Sequence, residues 1–218
     1  RKPVTGNYTK LPSEINSWQN TNKTIQIYNS DNMVITVGPS VRVLPTANAQ
    51  QDEIVLMRHP LNQNIMLGGA NTTVGGVFGQ GAYWTTDGGT SWAGNNLLPA
   101  FTQNSSDPAP TIDKNGVFIF TTLDQPGLLG MQSSYSTNNG VSWSGKVTIT
   151  TANSDKNFAA SDDAPSSPFY GRSYAVWSNM SAGSPPINVS YTTNSGISWS
   201  SPTAINTSVS GHYSQGCD

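Results

Sequence analysis

The stretch Thr85-Thr86-Asp87-Gly88-Gly89-Thr90-Ser91-Trp92 has two close copies further along the chain. The copies are Ser136-Thr137-Asn138-Asn139-Gly140-Val141-Ser142-Trp143 and Thr192-Thr193-Asn194-Ser195-Gly196-Ile197-Ser198-Trp199. An aromatic residue directly precedes each copy: Trp84, Tyr135 and Tyr191. The three final tryptophans lie 51 and 56 residues apart, so the sequence contains a repeat whose period of about 50 residues suits one structural unit per copy.

Each copy has the composition of a tight turn between two β-strands. The Asp or Asn at its third position can accept hydrogen bonds from backbone N–H groups further along the turn. The glycine at its fifth position permits the positive φ that other residues resist, and the tryptophan can cover the turn with a large apolar surface. The structural residues predicted for the three turns are Asp87, Gly89, Trp92, Asn138, Gly140, Trp143, Asn194, Gly196 and Trp199.

This pattern, Ser/Thr-x-Asp/Asn-x-Gly-x-Ser/Thr-Trp, resembles the Asp-box, or BNR, repeat of the sialidase-like β-propeller family. Other stretches resemble secreted bacterial BNR-repeat proteins, which are common in Bacteroidetes; they include 51–56, 60–71, 106–108, 113–116, 155–156 and 174–178. The resemblance runs from residue 41 to residue 218. It implies that the Asp boxes lie on the outer rim, at the end of the propeller opposite the mouth of the channel.

The repeat and the resemblance together predict an all-β chain with the fold of a sialidase-like β-propeller. A propeller blade has four antiparallel strands, and a period near 50 residues fits one blade. We place the three blades at about residues 51–104, 105–152 and 153–208, with the start of a fourth at 209–218. Residues 1–50 lie outside the repeat and are predicted to be a strand that caps the first blade or an extended leader.

Three blades make an open arc, because propellers close with 4–8 blades. We therefore expect an incomplete portion of a larger propeller of six to eight blades. The outer faces of an open arc are apolar and need a cover. The predicted partners are the remaining blades of the same chain or a partner protein on these faces, together with a glycan.

The composition excludes several classes of protein. Charged residues make up 10% of the chain and the net charge is −2, which leaves too few cations for a nucleic-acid binder. No apolar run approaches the roughly 20 residues of a membrane helix, so no membrane insertion is expected. Cys217 is the single cysteine of the sequence, and no disulfide can form within the chain. The Ser-, Thr- and Asn-rich composition favours an extracellular or outer-cell-surface location.

Acidic residues stand near the predicted start of each innermost strand. They are Asp52 or Glu53 in the first blade, Asp107 in the second and Asp155 in the third. Because innermost strands line the propeller axis, we expect these side chains to meet near one mouth of the channel. They form a polar pocket for a sugar or a metal, or they bond the backbone at each blade start. Their repetition in every blade favours the structural role.

The resemblance to sialidases implies three arginines that grip the substrate carboxylate, an acid/base carboxylate and a Tyr–Glu nucleophile pair. Arginine suits the first role because its guanidinium binds a carboxylate bidentately. The chain has four arginines and two glutamates, and no complete set is evident. The candidate catalytic residues are Glu53, Arg58, Asp107 and Asp162. Asp162 matches an aspartate common in the family, which serves as an acid/base, binds an ion or holds a loop.

The sequence offers little to bind a cofactor. His59 and His212 are isolated and have no metal-ligand spacing with each other or with Cys217. No cofactor is evident, although the acidic residues leave room for a structural calcium ion.

Three functions are compatible with these features. The first is a secreted or cell-surface propeller module of a larger bacterial protein, which binds a glycan or a protein without a complete catalytic set. The second is an exo-α-sialidase-type glycoside hydrolase whose remaining active-site residues lie outside this chain. The third is a cargo or subunit of a secretion or surface assembly. The sequence leaves open whether the protein is an enzyme.

Overall fold

The computed structural model describes residues 26–30, 33–37, 41, 43–44, 49–124, 129–207, 210–212 and 214–215. The chain divides into two units, Arg1–Arg42 and Val43–Asp218. In the first unit, β1 (Gln26–Ser30) pairs antiparallel with β2 (Met33–Val37). Of the predicted start of a fourth blade at 209–218, only residues 210–212 and 214–215 are described, without a strand among them, and most of the segment 1–50 lies outside the described residues.

The second unit contains three four-stranded antiparallel sheets, each built from four consecutive strands. The first sheet consists of β3 (Ala49–Arg58), β4 (Met66–Val74), β5 (Val77–Thr85) and β6 (Ala93–Asn95). The second consists of β7 (Ser106–Ile112), β8 (Phe118–Asp124), β9 (Gly130–Ser136) and β10 (Val147–Thr148). The third consists of β11 (Ser154–Ser161), β12 (Ser173–Asn179), β13 (Ile187–Thr192) and β14 (Thr203–Ala204). The prediction of an all-β chain with four-stranded units is confirmed.

The three sheets are neighbours in chain order. Strand β7 contacts β3 and β4 on one side and β11 on the other, so the first strands of the sheets lie next to each other. This is the arrangement of propeller blades, although the described residues form three sheets and not a closed ring. Across the same residues, no helix has the length and apolar character needed to span a membrane.

Apolar residues fill the two spaces between the sheets. Two buried clusters lie between the first and second sheets. One consists of Leu67, Ile112 and Phe118. The other consists of Ala82, Leu98 and Phe120. Between the second and third lies a cluster of Leu123, Met131, Ile149, Ala175 and Trp177. The core of the unit is therefore a series of seams between sheets.

The tryptophans of the second and third repeated turns enter these seams. Trp143 follows β9 of the second sheet and packs against both clusters of the first seam, with its ring edge-to-face on Phe120 at 6.2 Å between centroids. Trp199 packs against the cluster of the second seam, and its Nε1 donates to Ser133 Oγ at 2.9 Å. Each tryptophan thus joins its own sheet to the preceding one.

The three repeated turns share one hydrogen-bond pattern. In the first turn, Asp87 Oδ1 accepts from Ser91 N at 2.9 Å and from Thr85 Oγ1 at 2.7 Å, and Gly89 N donates to Thr85 Oγ1 at 3.0 Å. Gly89, Gly140 and Gly196 have φ of 90°, 86° and 85°. The corresponding bonds of the other turns, made by Ser136, Asn138, Gly140, Ser142, Thr192, Asn194, Gly196 and Ser198, measure 2.9–3.0 Å.

Candidate functional site

The first strand of each sheet contains a β-bulge at the same level. The register shifts between Asp52 and Val55 in β3, between Ser106 and Ala109 in β7, and between Asp155 and Phe158 in β11. One residue in each bulge has a left-handed φ: Glu53 at 48°, Asp107 at 56° and Lys156 at 49°. Such a conformation is uncommon outside glycine, and bulges re-aim side chains. We call Glu53, Asp107 and Lys156 the inner-strand row.

Asn71 of β4 connects the first two members of the row. Its Nδ2 donates to Glu53 Oε2 at 2.7 Å, and its Oδ1 accepts from the backbone N–H of Asp107 at 3.1 Å. The same oxygen accepts from Gln80 Nε2 at 2.8 Å. Asn71 is buried, so its amide fixes the exposed Glu53 carboxyl relative to the second sheet.

Asp107 connects the second sheet to the third. Its Oδ2 accepts from Lys156 N at 3.2 Å and lies 3.8 Å from Lys156 Nζ. Burial raises the pKa of Asp107, the Lys156 charge opposes this shift, and the negative charges of Glu53 and Asp155 add to it. The row is therefore an electrostatically coupled set that crosses all three sheets.

The sequence-based alignment of the acids needs one correction. Glu53 and Asp107 are equivalent to Lys156, whereas Asp155 occupies the position of Asp52 and Ser106. Asp155 lies beside the row and accepts a hydrogen bond from the Gln215 side chain. Positions in the three strands are equivalent when they hold the same place in the bulge, whether or not the residue is acidic. That place is marked by the left-handed backbone, which Glu53, Asp107 and Lys156 share.

The arrangement offers hydrogen-bonding groups of both kinds on one accessible surface. Glu53 and Lys156 are exposed and Asp107 is half-buried. Carboxylates accept up to four hydrogen bonds and an ammonium group donates three. Such a set suits a ligand rich in hydroxyl groups. Across the described residues, no three His, Cys, Asp or Glu side chains are placed to hold a metal ion together.

Two sequence candidates lie away from the row. Arg58 is the exposed last residue of β3, five residues and so roughly 16 Å along the strand from Glu53 at ~3.3 Å per residue. It pairs with Met66, which pairs with Thr85 at the start of the first repeated turn. Asp162 Oδ2 accepts from Ser167 Oγ at 2.5 Å and its Oδ1 from Ala164 N at 3.2 Å. The structure therefore places Arg58 at the opposite end of the sheet and gives Asp162 a loop-holding role.

His59, one of the remaining polar candidates, has a local structural role. His59 Nδ1 accepts from the backbone N–H groups of Leu61 and Asn62 at 3.0 and 3.1 Å, so it stabilises the turn after β3. His212 is exposed, and Cys217 lies outside the described residues.

Sequence reasoning missed Asn71 and Lys156. A signal for Lys156 exists, since a serine stands two residues before both Asp107 and Lys156. These serines, Ser105 and Ser154, are buried and mark the same position in the two sheets. Asn71 has no such signal, because its role depends on contacts between sheets.

Comparison with known proteins identifies the fold. No family model and no curated protein matches the chain. Among solved structures, a protein of unknown function from Dyadobacter fermentans DSM 18053 aligns with a TM-score of 0.54 and 13% identity over 78% of this chain and 59% of that one. The Hadza microbial sialidase Hz136 aligns with a TM-score of 0.51 and 12% identity over 72% of this chain and 34% of that one.

The chain has a sialidase-like β-sheet fold. At 12–13% identity these likenesses show the fold alone. The chain spans 59% and 34% of the lengths of the two structures. The sialidase-like fold agrees with the propeller-like order of the sheets, while the resemblance of the three repeated turns to Asp boxes stays a prediction from the sequence.

Proposed function

We propose that this chain is a glycan-binding module with a sialidase-like propeller fold, displayed outside a bacterial cell. The observation that carries the proposal is the inner-strand row, in which three equivalent bulges bring Glu53, Asp107 and Lys156 onto one surface. A left-handed non-glycine residue costs free energy, and such strain clusters at functional sites. The likeness to a microbial sialidase supports a carbohydrate as the ligand class.

The charges of the row favour hydroxyl groups over a ligand carboxylate. Two carboxylates and one ammonium group leave the row with a net negative charge, and Asp155 adds to it. Arg58, the arginine of the first sheet, lies at the other end of β3. A neutral saccharide is therefore the preferred ligand, with its hydroxyl groups donating to Glu53 and Asp107 and accepting from Lys156.

A binding titration with neutral oligosaccharides tests this proposal. We expect saturable binding to the wild-type protein and at least tenfold weaker binding to Glu53→Gln and Asp107→Asn, since hydrogen bonds to charged groups are the strong ones, at about 1.5–3 kcal/mol each. Asp163→Asn is the matched control, because Asp163 is exposed and lies in the loop after β11. Unchanged affinity in both row variants, with their melting temperatures preserved, would refute the site.

A second candidate function is glycoside hydrolysis, and the state of Asp107 favours it. A general acid must be protonated near its working pH, and burial raises the pKa of Asp107 in the direction this requires. Glu53 would be the second carboxylate. This hypothesis predicts release of a fluorophore from a glycoside reporter at a rate that falls as pH rises through the pKa of Asp107. Absence of release by a protein that binds saccharides selects the binding module.

A further inference from the structure

Two cations lie at the opposite end of the sheets from the inner-strand row. Lys114 lies between β7 and β8, and Arg172 directly precedes β12. Lys114 Nζ is 4.6 Å from the centroid of the Tyr170 ring. The Arg172 guanidinium is 4.6 Å from the Phe169 centroid and 4.5 Å from the Tyr191 centroid. We call Lys114 and Arg172 the cation pair.

The backbone between the two cations fixes their positions. Gly171 has a φ of 88°, and a Cβ there would lie 2.5 Å from Lys114 Cε, so the lysine stem lies directly on the glycine. The carbonyl of Arg172 accepts from Asp162 N at 2.8 Å, and Gly171 N donates to Asp162 O at 2.8 Å. Asp162 therefore holds the loop that positions both cations.

Of the acids nearest in sequence to these cations, Asp113 and Asp162 are already engaged, whereas Asp163 is exposed. Asp162 accepts from Ser167 and Ala164. Asp113 is buried and accepts from two backbone N–H groups of its own turn and from Ser195 Oγ at 2.6 Å. Within the described part of the chain, no carboxylate lies within 4.0 Å of Lys114 Nζ or of the Arg172 guanidinium. The pair thus concentrates positive charge in a protein whose net charge is −2.

Stacking determines which ligand chemistry Arg172 can bind. A guanidinium that stacks on aromatic rings still directs its N–H groups outward in its own plane. Two of these groups can bind the two oxygens of a carboxylate at once. The backbone N–H of Arg172 donates to Phe169 O at 3.0 Å, but its guanidinium N–H groups make no hydrogen bond with the described residues. Phe169 and Tyr170 are 49% and 39% exposed, so their rings offer apolar surface beside the cations. A pyranose ring with a carboxylate combines the complementary groups, an apolar C–H face and a planar anion.

The third sheet is distinctive at this position. The ring of Trp84, the aromatic residue before the first repeated turn, lies under Gly140 of the next sheet, whereas at Gly196 a Cβ would meet Ile119 first, at 3.4 Å, and Tyr135 only through its Cβ, at 3.6 Å. Tyr191, the third member of the series, instead contacts the Arg172 guanidinium. In the third sheet a cation therefore occupies an aromatic surface, whereas in the first sheet the next repeated turn covers it with a glycine.

We propose that the cation pair, with the rings of Phe169 and Tyr170, is a second saccharide site, specific for glycans that carry a carboxylate. The proposal extends the glycan-binding function to a separate surface. Because the two sites lie at opposite ends of the sheets, a substitution in one site should weaken binding there and leave binding at the other site unchanged.

Titration of the full chain with hexagalacturonate, followed by NMR or calorimetry, tests the proposal. We expect saturable binding that weakens as salt is added, and roughly tenfold weaker binding to Arg172→Lys, which keeps the charge and loses the planar fork. Phe169→Ala should also weaken binding, which tests the stacking if the arginine variant is less stable. Thr203→Ala, at an exposed position of the outer strand β14 outside both proposed sites, should bind as the wild type does.

Four results would overturn the proposal. The first is an absence of saturable hexagalacturonate binding. The second is equal affinity for a neutral hexasaccharide or for hexaglutamate, which would indicate general stacking or general charge attraction. The third is unchanged affinity in both Arg172→Lys and Phe169→Ala at preserved melting temperatures. Binding of a sulfated oligosaccharide with higher affinity than hexagalacturonate would also contradict the carboxylate specificity.

Discussion

At the scale of single residues, the first repeated turn differs from the other two in one atom of its key side chain. Asp87 stands where the other turns have Asn138 and Asn194. The Ser91 hydroxyl donates to Asp87 Oδ2 at 2.6 Å, whereas the Asn138 amide donates to the Ser142 hydroxyl at 2.9 Å. Hydrogen bonds from Ser91 and Thr85 lower the pKa of Asp87 to about 2.

The pKa of Asp87 makes the acid stability of the first turn testable. A lowered folded-state pKa stabilises the protein above the unfolded-state pKa of about 3.9, and this contribution is lost as pH falls toward 2. We expect the wild type to lose more free energy of unfolding between pH 5 and pH 2 than Asp87→Asn, which cannot titrate there. Urea unfolding at both pH values measures the difference. An Asp87 that titrates near 3.9 by NMR would contradict this explanation.

The left-handed residues of the inner-strand row give a second residue-scale prediction. At most positions alanine is more favourable than glycine, but at a φ near 50° the order reverses because Cβ clashes with the backbone. Lys156→Ala and Lys156→Gly both remove the ammonium group from Asp107. We expect the glycine variant to be the more stable by about 1 kcal/mol, measured by urea unfolding. Greater stability of the alanine variant would show that the bulge has another conformation.

At the scale of the elements, each repeated turn is fitted to the sheet before it. A Cβ on Gly140 would lie 2.5 Å from the Trp84 ring, so the backbone of the second turn lies directly on that ring. The glycine is thus required twice, for its φ of 86° and for this close approach. The turn is at once a local structure and a contact surface between sheets.

Alanine substitutions compare a glycine that contacts the preceding sheet, Gly140, with a glycine that has open space around it, Gly145. Gly140→Ala should destabilise the protein by about 2–4 kcal/mol, from the left-handed backbone and from overpacking against Trp84. Gly145→Ala is the matched control, because nothing lies within 4 Å of its Cβ position. The free energies of unfolding measure both effects. Equal losses in the two variants would contradict the contact between Gly140 and Trp84.

The elements also show which features the sequence could predict. The repeated turns follow from residues within eight positions of each other, so their Asp or Asn, Gly and Trp identify them without a structure. The bulges are different, because Glu53, Asp107 and Lys156 share a backbone conformation and no common side-chain chemistry. A search for acids therefore selects Asp155 and passes over its neighbour Lys156. Asn71, Lys114 and Arg172 depend on contacts between sheets or loops distant in sequence, which no local pattern encodes.

At the scale of the whole molecule, the apolar contacts between sheets determine how the three sheets are arranged next to each other. The tryptophan of each following turn packs on the preceding sheet, as Trp143 and Trp199 do. This one-directional contact places β3, β7 and β11 next to each other and so creates the inner-strand row. The same order brings Lys114 of the second sheet against Gly171 of the third at the other end. Both proposed sites are consequences of the seams.

The free energy of unfolding of Trp143→Ala tests this account most directly. Trp143 is partly buried and contacts both apolar clusters of the first seam, and deletion of a large aromatic side chain from a core costs about 3–5 kcal/mol. We predict a loss in this range by urea unfolding at neutral pH, with Ser144→Ala as a neighbouring control of smaller effect. A loss below about 1 kcal/mol, the level of an ordinary surface substitution, would contradict the claim that the repeated tryptophan joins successive sheets.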